Sequence, residues 1–508
     1  MRRPLVLLSL MSVLTGGLVA LPIVTSATAT PRPVTASLQQ LPLTTVDTAA
    51  SLRTAPGRRS LLSPQSATRP FSLMGVTWRD DDAVGEVEVL VRIRTGGRWT
   101  PWESVEAERA DAPDDGSVDT RRTIRAGSAP VWTGPSDGVQ ARVSSLSGAA
   151  PQDVRIELVD PGTSPADEVV ALPRDTASAA APQPAIVTRA QWGADESIRR
   201  GSPSYNRTVK VGFVHHTASS NTYTADQAAA MVRGIYAYHV KSNGWSDIGY
   251  NFLVDRYGRA YEGRAGGIDR YVVGAHTGGF NTDSFGVSLL GDFSTVAPST
   301  ATVGMLSKVL AWKLGSAYRD PKGTAVLTSA GGGTSKYSAG AKATFDVVSG
   351  HRDAGSTSCP GATTYARMPA IRDLVQADLG AGFVEPSINQ TVFPLASRGP
   401  VTVSATTLGP VSWTATVLDA KGAALRTVTG SDPSVAFSWD LTADGRPVPA
   451  GSYAVRLSGR AGDDTALGYS AQVVVDAPVC RGTPIQRAVC QARQRAALRT
   501  APAAPPGS

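Results

Sequence analysis

The chain has 508 residues, 42% hydrophobic and 18% charged, with 51 glycines and 35 prolines. That balance excludes a disordered or fibrous chain, and the length exceeds one ordinary domain, so three domains joined by linkers are expected. The net charge of +7 suits anionic partners such as cell-wall polymers, and no motif for binding nucleic acid accompanies it.

The N-terminus has the pattern of a secretory signal. Arg2 and Arg3 form a basic start, residues 5–24 are mostly apolar, and Ala27-Thr28-Ala29 is a small-x-small cleavage site. Cleavage after residue 29 leaves no stretch apolar enough to span a bilayer, so a secreted, wall-associated protein is expected. Residues 30–65, rich in Thr, Ala, Ser and Pro, are expected to be a disordered leader.

Residues 66–162 alternate with period two, as in Val87-Glu88-Val89-Leu90-Val91-Arg92-Ile93, with Gly, Asp and Pro between the runs. This predicts an antiparallel β-domain. Trp78, Trp99, Trp102 and Trp132 lie here and fit a carbohydrate-stacking face or a core, the core being favoured because tryptophan is usually largely buried. Residues 163–186, with Pro165, Pro173, Pro182 and Pro184, read as a linker.

Residues 187–382 mix strand and helix patterns and predict an α/β domain with a mixed sheet. Strands are expected at 209–214, 251–254, 259–262, 285–290 and 345–348. Thr224-Ala225-Asp226-Gln227 predicts a capping-box start for a helix running to about residue 240, and further helices are expected at about 301–318 and 363–378. Residues 386–476 return to short strands and turns, among them Trp439-Asp440-Leu441 and Asp444-Gly445-Arg446-Pro447, and predict a β-sandwich. It resembles the immunoglobulin-like domain associated with flagellar hook-capping proteins and with the C-termini of many secreted bacterial proteins. Residues 477–508 form a basic Pro/Ala-rich tail, which holds Cys480 and Cys490, a plausible disulfide in an oxidising compartment.

That pairing leaves Cys359 over, in Gly350-His351-Arg352-Asp353-Ala354-Gly355-Ser356-Thr357-Ser358-Cys359-Pro360-Gly361. A second metal-ligand candidate, His215-His216, ends the apolar run Val211-Gly212-Phe213-Val214. Two imidazoles and a thiolate suit Zn²⁺ and leave one coordination position open, as hydrolytic zinc sites do.

Six blocks then occur in a telling order: Arg189-Ala190-Gln191-Trp192-Gly193-Ala194; Val214-His215-His216-Thr217-Ala218; Gly244-Trp245-Ser246-Asp247-Ile248-Gly249-Tyr250-Asn251; Tyr261-Glu262-Gly263-Arg264; Gly274-Ala275-His276-Thr277 with Asn281; and the His351–Cys359 stretch. In these blocks the chain resembles the peptidoglycan recognition proteins, which share a fold with zinc N-acetylmuramoyl-L-alanine amidases. The resemblance covers about 187–380. It implies hydrolysis of the amide between N-acetylmuramic acid and L-alanine of peptidoglycan, with His215, His351 and Cys359 as zinc ligands and Tyr250 as the catalytic tyrosine. Thr357 stands where phage enzymes carry lysine and catalytic animal members often carry threonine; its hydroxyl donates one hydrogen bond and brings no charge. His239, His276 and Asn281 match groove positions that bind substrate, and His216 is expected to line the groove or support the ligands. A non-catalytic peptidoglycan-binding protein is the alternative, and a wall-anchoring role for the β-domains is a possible addition. Retention of all three ligands and Tyr250 favours the enzyme.

Overall fold

The computed structural model describes residues 32–43, 60–164, 167, 181–393, 399–475 and parts of 483–492, apart from 82, 108–110, 115, 118, 120–123, 148, 150 and 333. The expected signal peptide, most of the linker, the Cys480–Cys490 pair and most of the tail lie outside these residues. Among the described residues no helix is long and apolar enough to cross a membrane.

The N-terminal domain is all β. Its sheet runs in the order Ser37–Pro42, Arg155–Asp160, Ser66–Arg79, Val131–Ser145, Val87–Thr95, Arg98–Trp99, with antiparallel pairing throughout. In Val87–Thr95 the odd positions Val87, Val89, Val91 and Ile93 are buried and the intervening residues are not, as the period-two pattern predicts. The expected disordered leader is corrected here: Ser37–Pro42 is an edge strand and Ser60–Leu62 pairs with Val131–Ser145. Both strands are short and lie within a stretch rich in Thr, Ala, Ser and Pro, which hid them. The tryptophans divide. Trp78 and Trp132 are buried, whereas Trp102 is 40% exposed and, with Trp99, flanks the Arg92 guanidinium.

The central domain is built on a mixed six-stranded sheet in the order Ile186–Val187, Ala260–Glu262, Phe252–Val254, Ser284–Leu289, Val211–His216, Val348–Gly350. The pair between Phe252–Val254 and Ala260–Glu262 is antiparallel and the others are parallel. Side chains alternate across it. Phe252 and Val254 join the cluster under the helices Thr300–Ser316 and Met368–Leu379, whereas Leu253 joins the cluster under Gln227–Ala237. The expected strand at 345–348 separates into Lys342–Asp346, which pairs with Thr324–Thr328, and Val348–Gly350, which enters the main sheet. The expected helix at 363–378 breaks into Ala362–Tyr365 and Met368–Leu379, with Pro at the start of the second.

The helix Gln227–Ala237 begins with half of the expected capping box. The Thr224 N–H donates to Gln227 Oε1 at 3.0 Å, while Asp226 makes no side-chain cap. The helix ends earlier than expected because the chain continues as a π-helical turn, Tyr238–Ser242, which carries His239. Residues 228 through 237 are all buried, so this helix is covered on every side. Its cover is the N-terminal domain: Leu73, Trp132 and Val159 share a core with Trp192, Ala228, Ile235 and Tyr238. At Gly75 a Cβ would stand 2.5 Å from the Tyr238 ring, so only glycine admits this approach. Arg233 crosses the same boundary to pair with Asp167 at 2.7 Å.

The C-terminal domain is a β-region of two main sheets and a small two-stranded one, Thr442–Ala443 with Arg446–Pro447. It begins at Gly382, four residues before the expected boundary, directly after the helix Met368–Leu379. One sheet holds Gly382–Ile388, Val401–Leu408 and Ser434–Trp439; the other runs Val392–Phe393, Tyr469–Val475, Gly451–Ala461, Ser412–Leu418, Ala424–Gly430. Their inner faces enclose Trp413, Phe437, Trp439 and Tyr453. Val384 and Leu408 join the central domain's core, and Arg319 pairs with Glu385 at 2.6 Å.

Candidate metal centre and groove

His215 and His351 arrive on adjacent parallel strands. The ladder pairs Val214 with Gly350, so the next residue of each strand carries an imidazole at the same sheet edge. The ring centroids stand 4.6 Å apart. His351 opens the short helix His351–Ala354, and the Arg352 N–H donates to the Cys359 carbonyl at 2.9 Å. One helical turn and a returning loop thus bring Cys359 back beside His351, which explains the spacing of the pair. Cys359 Sγ lies 3.7 Å from His215 Nδ1 and receives the His216 N–H at 3.4 Å. Donor atoms of His215, His351 and Cys359 all fall within 4.8 Å of one another, and all three residues are buried.

The remaining groups fit a cation at this point. His351 Nε2 is buried without a hydrogen-bond partner, a costly state unless a further partner is bound. On its other side His215 is oriented. Its Nε2 lies 3.2 Å from His276 Nδ1 and 3.4 Å from Thr277 Oγ1, the outer contact a ligating imidazole needs to fix its tautomer. Burial, with His351 nearby, pushes His215 down to about 4, so the neutral, metal-binding form prevails near neutrality.

Tyr250 follows the Gly244–Gly249 loop, which Asp247 holds by accepting the Ile248 and Ala265 N–H groups and pairing with Arg189. The Tyr250 ring lies 5.5 Å from that of His215. Thr357 Oγ1 accepts the Cys359 N–H at 3.1 Å and donates to Glu106 at 3.2 Å. The four residues expected to bind substrate are brought to the site, but all are buried. His239 accepts the Gly249 N–H and packs on Trp245, with ring centroids 4.5 Å apart. His276 faces His215. Asn281 Oδ1 accepts the His276 and Thr277 N–H groups at 2.7 and 3.0 Å, and so shapes the loop behind the ligand. His216 points away from the metal side of its strand, where Nδ1 accepts the Phe293 N–H.

Sequence reasoning missed one participant, Asp111 of the N-terminal domain. Its Oδ1 lies 3.0 Å from His351 Nδ1 and 3.5 Å from His215 Nδ1, and its Oδ2 accepts the Tyr250 hydroxyl at 2.5 Å. Burial alone would raise this carboxyl, but the imidazoles of His351 and His215 hold it well below the usual aspartate range. The only signal in the sequence was a concentration of acids around Asp111-Ala112-Pro113-Asp114-Asp115 in an otherwise balanced β-domain.

The fold and the convergent donors define an α/β domain with a His/His/Cys cluster whose donor atoms could hold a metal ion. A family model described as N-acetylmuramoyl-L-alanine amidase matches residues 205–362, and one described as Rv3811 N-terminal galactose-binding domain-like matches residues 26–169. Peptidoglycan-recognition protein SC2 of Drosophila simulans is 33% identical over 185 residues, covering 35% of this chain and 82% of its own length. An N-acetylmuramoyl-L-alanine amidase of Sus scrofa is 40% identical over 124 residues, covering 24% of this chain and 20% of its own. A solved structure of peptidoglycan recognition protein-LE with tracheal cytotoxin aligns at 26% identity over 36% of this chain and 92% of that one, with a TM-score of 0.29. The chain belongs to the peptidoglycan recognition protein family, with a galactose-binding-like domain before the amidase-type domain.

Proposed function

We propose that the protein is a secreted, zinc-dependent N-acetylmuramoyl-L-alanine amidase that cleaves the amide between N-acetylmuramic acid and L-alanine of peptidoglycan. The observation that carries this reading is the convergence of His215, His351 and Cys359 beside the Tyr250 ring. Zinc, held by those three residues, would polarise the scissile carbonyl and lower the pKa of a water. Tyr250 would donate its O–H to the oxygen that gains charge as the amide is attacked. Thr357 adds a neutral hydroxyl on the opposite bank, so the site has less electrostatic help than a lysine would give. His276 and Thr277 act through His215, holding its ring so that Nδ1 faces the other donors. Asn281 and His239 keep the flanking loops in place and offer amide and imidazole groups to the sugar and peptide once the groove is open.

One observation favours a second reading, a non-catalytic peptidoglycan-binding protein: Asp111 engages Tyr250 and both ligand histidines. Intact peptidoglycan incubated with the zinc-loaded chain distinguishes the two. Mass spectrometry should detect new N-terminal alanine on released stem peptides, and Cys359→Ala or chelator should abolish it. Binding to the wall without any alanine release from a chain with an open groove would establish the second reading.

A further inference from the structure

Asp111 is one of four acids that a single N-terminal-domain segment, Glu106 to Asp119, delivers to the central domain. Glu106 accepts the Ser358 hydroxyl at 2.6 Å and the Ser358 N–H and Thr357 hydroxyl at 3.2 Å. Asp111 lies against His215, His351 and Tyr250. Asp114 accepts the Asn281 side-chain amide at 2.7 Å and the Gly279 N–H at 2.9 Å. Asp119 pairs with Arg264 at 3.1 Å and accepts the Ser246 N–H at 2.6 Å. The partners come from the cysteine loop, the two ligand strands, the 276–282 loop and the 244–250 loop. The four carboxylates therefore reach partners on both banks of the site. A cavity of about 260 Å³ remains at one end, lined by Asp114, Asp119, Arg200, Asp247 and Arg264 among others.

Two facts show what this arrangement does. First, a hydrolytic zinc site keeps one position open for water and substrate. Here the Asp111 carboxylate stands against two of the three donor residues and also takes the Tyr250 hydroxyl, so the carbonyl of a substrate has no room there. Second, the boundary between the two domains has two different chemistries. Around Gln227–Ala237 it is chiefly apolar and closely packed, with an ion pair from the buried Arg233 to Asp167 crossing it. Along Glu106 to Asp119 the side-chain contacts just named are hydrogen bonds and ion pairs, which water or a polar ligand can replace at modest net cost. The segment can leave while the domain stays.

We propose that Asp111 is a fourth metal ligand supplied by the N-terminal domain, and that the carboxylates of Glu106, Asp111, Asp114 and Asp119 act together as a removable plug that holds the site latent. The inference rests on the amidase reading of the site. Its first test does not measure turnover. The full chain is loaded with cobalt and titrated with acetohydroxamate, which reports an accessible coordination position through the cobalt absorption bands. The wild-type spectrum should barely respond. Asp111→Ala, and separately the double variant Asp114→Asn with Asp119→Asn, should bind hydroxamate at least ~10-fold more tightly and retain more metal-free binding to purified peptidoglycan. Hydrogen exchange of the unmodified chain supplies a measurement that no folding defect can confound: a soluble muramyl pentapeptide should raise exchange within 106–119 and leave 227–237 protected. A wild-type site as open to hydroxamate as the variants, or peptide binding without added exchange in the segment, overturns the plug. Opened variants that take up hydroxamate and bind wall but release no alanine leave the plug standing and overturn the amidase reading.

Discussion

The Tyr250 hydroxyl donates a 2.5 Å hydrogen bond to Asp111, a residue 139 positions earlier and in another domain. The candidate site is thus not a property of the central domain alone. Every group expected to act there has a partner on the N-terminal segment or one contact away from it, and the consequences can be measured.

Replacing Tyr250 with Phe removes one O–H and leaves the ring packed. In the amidase reading, kcat falls ~100–1,000-fold because the developing oxyanion loses a donor. Zinc content, measured by atomic absorption, stays at the wild-type level because Tyr250 is not among the three converging donors. A variant that loses zinc instead would assign Tyr250 to metal retention.

His276→Ala removes the ring facing His215 Nε2. The ligand then loses its outer contact, and zinc affinity measured by competition with a chromophoric chelator should drop ~10–100-fold. His239→Ala, which disturbs the Gly249 turn and not a ligand, should leave zinc affinity near wild type. Equal losses in the two variants would argue against the positioning role of His276.

Gly75→Ala places a methyl group 2.5 Å from the Tyr238 ring, where the N-terminal sheet meets the buried helix. Overpacking of this kind costs about 1–3 kcal/mol. Thermal unfolding should show the loss in the whole chain. Gly97→Ala provides the contrast: it sits at positive φ with open space around it, so it should cost strain but no clash. A neutral Gly75→Ala would mean that the two domains are not held as closely as Tyr238 implies.

Asp119 gives a pH signature. Burial would raise its carboxyl, but the Arg264 guanidinium and the Ser246 N–H outweigh this and hold it below the ordinary 3.8. A lowered acid contributes stability that is present above 3.8 and is lost as pH falls through its folded value. Wild type should therefore exceed Asp119→Asn by about 2 kcal/mol near neutrality, and the difference should shrink below about pH 4. Parallel curves from neutral to acid would show that Asp119 is not charged in the folded chain.

Much of this molecule was legible before any coordinate. Alternation in Val87–Thr95 specified a strand and its buried face. Gly350-His351 after an apolar run, with Cys359 eight positions further on, specified two donors and the turn between them. These are local signals: the pleat sets the face, and one helical turn plus a short loop sets the spacing. The resemblance in six blocks added His215 and Tyr250. What stayed hidden were the strands Ser37–Pro42 and Ser60–Leu62, whose short runs gain their order from pairing partners about 80 to 120 positions away.

The sequence by itself determined the chemistry available to this protein: which residues are candidate metal donors, which tyrosine stands beside them and that β-rich regions flank the amidase-type region. Only the tertiary structure decided whether that chemistry is exposed. The position of Asp111 depends on Gly75 admitting Tyr238 and on an apolar helix buried between two domains, and these are distances between separately encoded surfaces. No spacing or period within the segment from Glu106 to Asp119 carries that information, because a carboxylate's partner is chosen by what the fold places within hydrogen-bonding reach.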